Sequence, residues 1–147
     1  MSSSDHNIPR WLSFTSLIVS VIGMADSMYL TVHHLTGEQV PCNLVNGCEK
    51  VLTSEYAELF GVPIAAFGLL AYFSSFSLSV LTVSGRRWAW QMFGGLSLTM
   101  AGVSTWLVYL QWSVIKAFCQ FCLLSAGSSL VLLLLFLFSL QRLNQKK

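Results

Sequence analysis

Four stretches of this chain run for more than twenty residues with almost no charge: Trp11–Val32, Val62–Val83, Trp88–Trp112 and Ala117–Leu140. As a helix rising about 1.5 Å per residue, each is long enough to cross a hydrocarbon layer of about 30 Å. Strands of a membrane barrel are far shorter and alternate in polarity, which these do not. A soluble domain carries about a quarter charged residues; here 10% are charged and 54% are hydrophobic. The expected fold is all-α, one integral membrane four-helix bundle over residues 1–147. Its helices lie near 11–32, 62–83, 88–112 and 117–140, with a single sizeable loop over 33–61. The first stretch is long for a signal-peptide core, and Gly23-Met24-Ala25-Asp26 is a poor cleavage site, so it is read as a span.

Basic residues orient the bundle. Arg10, Arg86, Arg87, Arg142, Lys146 and Lys147, six of the eight lysines and arginines, fall on one side of a four-span arrangement, and Lys50 and Lys116 on the other. Positive charge marks the cytoplasmic face, so both termini are expected inside and the 33–61 loop outside. The net charge of +2 comes from these anchors and does not suggest nucleic acid.

Four cysteines fall in two pairs. Cys42 and Cys48 lie in the external loop, and Cys119 and Cys122 form a C-Q-F-C at the mouth of the last stretch. An even number of cysteines on an oxidising face points to disulfide chemistry. On a helix, C-x-x-C places both sulfurs on one face, with Cys122 about 4.5 Å deeper than Cys119. The unpaired amides and positive dipole end of a helix N-terminus favour a thiolate there. One sulfur can then meet another protein thiol while the deeper one faces a lipid-soluble oxidant. Cys42–Cys48 also admits a plainer reading as a loop staple. A helix needs no staple at Cys119–Cys122, and a bridge there is strained and easily reduced.

Around these pairs the loop is expected to turn at Asn46-Gly47, where positive φ is favoured, bringing Cys48 near Cys42. Glu49–Phe60 reads as a short amphipathic lid helix lying in the interface, with Val51, Leu52, Tyr56, Leu59 and Phe60 on one face. Pro63 is expected in the first turn of the second span. Gly94, Gly95, Ser97, Ala101 and Gly102 are small enough for close helix contact. Trp88, Trp90, Trp106, Tyr109 and Trp112 read as interface anchors. Asp26 is an intramembrane acid, placed between structural anchoring near water and proton relay. His33 and His34 read as solvated interfacial residues, with proton exchange with a hydroquinone as the alternative. Lys116 is either an electrostatic aid to the neighbouring thiolates or a snorkelling anchor.

The run Cys42-Asn-Leu-Val-Asn-Gly-Cys48-Glu-Lys-Val-Leu-Thr-Ser54-Glu-Tyr, then Phe60-Gly-Val-Pro-Ile, then Cys119-Gln-Phe-Cys122, resembles the vitamin K epoxide reductase family, most closely its bacterial members. In DsbB, the other four-helix disulfide generator, the C-x-x-C comes in the first external loop instead. The resemblance implies a bacterial inner or plasma membrane protein that uses a quinone, of ubiquinone or menaquinone/vitamin K type. It implies Cys42 as the shuttle cysteine attacked by a partner thiol, Cys48 as the donor to Cys119, and Cys122 as the cysteine touching the quinone. Ser54 matches the family's lid serine, and Ser54 and Leu52 are expected to join Cys122 at the quinone. The tyrosine that many animal members carry four residues after the last cysteine is Ala126 here, and their vitamin K-binding asparagine has no counterpart near Ile64. These departures bear on epoxide reduction and leave plain quinone reduction intact. Some bacterial relatives carry a fused thioredoxin-like domain; with the chain ending at Lys147, a separate thioredoxin-fold, DsbA-like periplasmic partner is expected.

The reading is a membrane thiol:quinone oxidoreductase that supplies disulfides to exported proteins, with no metal. A rival from another class is a membrane protein handling a soft metal through four thiols with His33 and His34. A transporter would want ligands continuing at depth, and helices two to four add no further cysteine or histidine. A tetraspan scaffold without catalysis leaves the C-x-x-C unexplained.

Overall fold

The structure, a computed structural model, describes residues 8–145; the serine-rich start of the chain through residue 7, and Lys146 and Lys147, lie outside the described residues. Four long helices carry the fold: α1 (Arg10–Thr36), α3 (Ile64–Val83), α4 (Arg87–Leu110) and α5 (Gln120–Gln145). A five-residue helix α2 (Cys48–Leu52) lies between α1 and α3, and α4 is prolonged by one π-turn, Gln111–Ile115. All four long helices are long and apolar enough to cross a membrane, the third span running from Arg87 to Ile115. The ends of α1 and α3 have local causes. Gly37 closes α1 in the left-handed region (φ 69). Pro63, which has no amide hydrogen, stands just before α3 as its N-cap (φ −60, ψ 135) rather than inside its first turn. Ser84 and Gly85 (φ 88) turn the chain from α3 to α4.

The helices form a ring in the order α1, α3, α4, α5, each packing on the next and α5 closing on α1. Its polarity is the reverse of a water-soluble bundle. The buried face of α1 is Leu12, Ser13, Ser16, Ser20, Gly23, Asp26, Ser27 and Leu30, a single stripe at helical spacing. Facing it on α3 are Tyr72, Ser75 and Ser79. Large apolar side chains such as Ile18, Ile22, Leu70, Phe73, Leu98 and Leu134 instead point outward. Small side chains let the backbones approach, as membrane helices require where lipid is as apolar as leucine. A Cβ on Gly23 would enter the Tyr72 ring, and one on Gly94 would enter the Phe136 ring. Gly95 and Gly102, expected to do the same work, face open space.

The end of the bundle carrying Arg10, Arg86, Arg87 and Arg142, here the basic end, is held by stacked rings beside an apolar groove of about 430 Å³ lined by Arg87, Trp90, Gln91, Phe136 and Leu140. Leu12, Trp90, Phe93 and Leu132 form its core, with Trp90 and Phe93 stacked at 4.7 Å between centroids. Ser16 Oγ donates to Ser79 Oγ at 2.9 Å, and Trp90 Nε1 donates to Ser139 Oγ at 2.7 Å. Trp90 is therefore a buried strut between α4 and α5 rather than an interface anchor. Trp88, Trp106, Tyr109 and Trp112 are exposed, as anchors must be.

The lid differs from a continuous helix over Glu49–Phe60. Helix α2 ends at Leu52 because two hydroxyls take its last carbonyls, Thr53 Oγ1 donating to Glu49 O and Ser54 Oγ to Val51 O, both at 2.7 Å. A 3₁₀ turn over Glu55–Ala57 follows, then a hairpin of β1 (Glu58–Leu59) and β2 (Val62–Pro63). Phe60 and Gly61 form its two-residue turn with φ of 56 and 77, the mirror-type turn that suits the twist of a hairpin. Leu59 and Phe60 thus leave the helical face on which their spacing had put them.

Candidate redox site

Both cysteine pairs lie at the opposite end from the arginines, here the cysteine end. Cys42 and Cys48 are joined by a disulfide. Cys119 and Cys122 are free thiols; Cys119 is buried and Cys122 is half-buried. The loop returns on itself through Asn46-Gly47, with the Gly47 amide donating to Val45 O at 3.0 Å. The glycine is needed here for a different reason from the one its sequence suggests. Its φ is −145, which any residue adopts. A Cβ at that position, however, would stand 2.6 Å from the carbonyl oxygen of Phe118, next to Cys119. Gly47 lets the loop backbone press onto the backbone of the C-x-x-C segment.

That approach brings the two pairs together. Cys48 and Cys119 share one buried cluster with Val51 and Ile115, and Cys42, Leu52, Phe121 and Cys122 pack around it. Two glutamine side chains pin the arrangement. The Leu44 amide, in the middle of the disulfide loop, donates to Gln120 Oε1 at 3.1 Å. The Cys119 amide donates to Gln111 Oε1 at 3.1 Å. Gln111 is itself buried in the π-turn, a feature that recurs at functional sites. Lys116 then reverses the chain in the left-handed region (φ 53) and is exposed.

Cys119 stands one residue ahead of α5, and its carbonyl accepts the first helical bond, from the Leu123 amide at 3.0 Å. The sulfur occupies the place of a helix cap. A hydrogen bond from the Cys122 thiol, helped by the amides of Cys122 and Phe121, holds the Cys119 thiol down at about 7, while burial and the Asp26 carboxyl act in the opposite direction. The thiolate is favoured by its own C-x-x-C and the α5 amides rather than by Lys116.

Cys122 opens onto an apolar cavity of about 270 Å³ enclosed by all four long helices and the lid. Its volume is near the lower limit of small-molecule sites, about 300 Å³. Leu52 and Ser54 also line it, so the three residues expected from the sequence to share a ligand face the same space. Its floor is Tyr72, whose hydroxyl donates to Ser125 O at 2.6 Å and lies 3.0 Å from Ser129 Oγ.

Asp26 is buried rather than close to water, and neither carboxylate oxygen has a hydrogen-bond partner among the described residues. His33 packs against Tyr29 with centroids 4.3 Å apart and the rings tilted, and its Nδ1 is 3.8 Å from Glu38. His34 Nε2 is 2.8 Å from Glu58 Oε1 on the hairpin, and its side chain is only 19% exposed. Among the described residues no three of His, Cys, Asp and Glu gather as a metal site. Gly47, Gln111 and Gln120 are the site residues that sequence reasoning misses. Only Gly47 leaves a trace there, as half of an Asn-Gly pair.

With this geometry in view, residues 14–137 match the model of the vitamin K epoxide reductase family. The thiol-disulfide oxidoreductase LTO1 of Arabidopsis thaliana is 33% identical over 124 residues, an overlap of 76% of this chain and 32% of the relative. The chain thus spans about a third of the length of that curated relative.

Proposed function

The chain belongs to the vitamin K epoxide reductase family, and we propose that it is a membrane thiol:quinone oxidoreductase, oxidising the dithiol of a thioredoxin-fold partner and passing the electrons to a quinone in the bilayer. The observation that carries this reading is the meeting of the cysteine pairs in one buried cluster, with Cys122 alone of the four opening onto an apolar cavity.

The exchange steps follow from the sulfurs' order. A partner thiolate attacks Cys42, breaking the loop disulfide and releasing Cys48 as a thiolate; the partner's second thiol resolves the mixed disulfide and leaves oxidised. Cys48 then attacks Cys119 of an oxidised inner pair, displacing Cys122. Cys42 attacks Cys48, restoring the loop disulfide and releasing Cys119. Two electrons have moved inward, giving the oxidised loop pair and reduced inner pair of this structure. A thiol held at about 7 suits Cys119, which must be both a good nucleophile and a good leaving group near neutral pH.

Cys122, Leu52 and Ser54 would hold the quinone ring, which serves as the two-electron acceptor. The lid and Tyr72 close the cavity above and below, keeping water from the sulfurs. We place the cysteine end on the extracytoplasmic side of a bacterial inner or plasma membrane, since the arginines gather at the other end.

The test uses purified protein in lipid nanodiscs with its inner pair reduced by dithiothreitol. A short-chain ubiquinone or menaquinone should lose its oxidised absorbance in proportion to protein, and Cys48→Ser should accumulate a mixed disulfide with a thioredoxin-fold partner. Absence of quinone reduction by the intact protein overturns the reading.

A further inference from the structure

His34 stands between two cavities. It lines the apolar cavity that holds Cys122, and it also lines a second space of about 440 Å³ on the far side of the lid. Leu52 and Ser54 are the other two residues common to both, so these three form the partition. The second space is acidic, being lined by Glu38, Glu49, Glu55 and Glu58 together with His33. Those glutamates are exposed to water. Of the groups on the wall of the apolar cavity, His34 is the one hydrogen-bonded to an acid outside it, and an imidazole ring can shuttle a proton from one nitrogen to the other. Tyr72 already donates its proton to Ser125, and Ser54 donates to Val51.

The reaction needs such a group. Converting a quinone to its hydroquinone consumes two electrons and two protons. Oxidising Cys119 and Cys122 to a disulfide yields both electrons. It yields only one proton, from the Cys122 thiol, whenever Cys119 has already lost its own as a thiolate. One proton must therefore enter an apolar cavity from outside.

We propose that His34, oriented by Glu58, is the proton donor that supplies it. The imidazolium gives its proton to a quinone oxygen as the S–S bond closes, and the neutral ring recovers one from the Glu58 side, which the acidic space keeps in contact with water. The groups facing His34 are Glu58 from the hairpin, Glu49 and Glu55 from α2 and the 3₁₀ turn, and His33 and Glu38 on its own side. This inference rests on the quinone-reductase reading above and adds where one proton comes from.

Single-turnover quinone reduction by pre-reduced protein in nanodiscs tests it. His34→Gln should slow the step about a hundredfold, and Glu58→Gln less, about tenfold. Added imidazole should recover much of the His34→Gln rate, increasingly with more acidic substituted imidazolium ions, which a merely structural loss does not allow. A readout independent of turnover is ¹⁵N NMR of the histidine rings on binding 4-hydroxyquinoline N-oxide, a quinone-shaped ligand that does not oxidise thiols. The His34 resonances should move and those of His33 should not. Wild-type rates in His34→Gln, a slow variant that imidazole leaves slow, or unmoved His34 resonances each overturn the proposal. If the intact protein reduces no quinone under any condition, the functional reading fails first and takes this inference with it.

Discussion

The two ends of the bundle are held together by different means. At the basic end, glycine and serine faces are filled by rings: Phe136 over Gly94, Trp90 on Phe93, and Trp90 tied to Ser139. At the cysteine end the same four helices stand around a cavity, and the material that closes it comes from a loop. The difference teaches where rigidity is placed. One end fixes the helices relative to one another, which frees the other to leave a space beside the sulfurs and, under the proposed function, to let their bonds break and reform.

The comparison breaks most visibly through the sulfurs. Cys122→Ser should abolish quinone reduction with every reductant, while a Cys48–Cys119 bond accumulates on a non-reducing gel. Cys42→Ser should stop only the protein partner and leave dithiothreitol-driven reduction running. Retained activity of Cys122→Ser with dithiothreitol would mean that the deep cysteine is not the one facing the acceptor.

Gly47→Val should come next in size. Its side chain meets the Phe118 carbonyl, so the loop must lift from the C-x-x-C. Transfer from the loop pair to the inner pair should fall by about tenfold or more, since misplacement of reacting groups by about 1 Å can cost a hundredfold. Dithiothreitol acting directly on the inner pair should be unaffected, and equal losses with both reductants would refute the division between the pairs.

A third measurement is electronic. With Cys119 held at about 7, the thiolate absorbance of the reduced protein near 240 nm should rise in a step centred there, the thiol form below and the thiolate above. Cys119→Ser should remove that step. A step displaced to the ordinary cysteine range, about 8.5, would show that Cys122 and the α5 amides do not act on the sulfur.

Substitutions at the basic end should affect stability without changing the chemistry. Gly94→Leu should destabilise the fold by about 1–3 kcal/mol through overpacking against Phe136. Trp90→Phe, which loses the bond to Ser139, should cost about 1 kcal/mol. Both should show unchanged turnover per folded molecule. A change in turnover from either would mean that the ends are coupled more tightly than their construction suggests.

What the sequence discloses follows the same division. Spans are legible because hydropathy over twenty residues is a property of a segment by itself, and cysteine pairing is legible because the four sulfurs already fall into two close pairs along the chain. The lid is less so. Val51 to Phe60 has helical spacing, but whether Thr53 and Ser54 continue the helix or end it depends on which carbonyls their hydroxyls find. Trp90 and Trp88 look alike in sequence, and only the position of Ser139 separates the strut from the anchor. Gln111 and Gln120 act through single bonds to residues 8 and 76 positions away, and such bonds leave no local pattern.

The buried serines of α1 and α3 have a consequence for how the molecule comes to exist. Each long helix presents enough apolar surface to enter the bilayer by itself, so nothing in the interior is required for insertion. Assembly is then a later and separate event, decided by the fit of small side chains and a few hydroxyl contacts rather than by escape from water. Such an association should respond to the lipid surrounding it. Acyl chains too short or too long for the spans should loosen the four-helix ring while leaving every helix inserted.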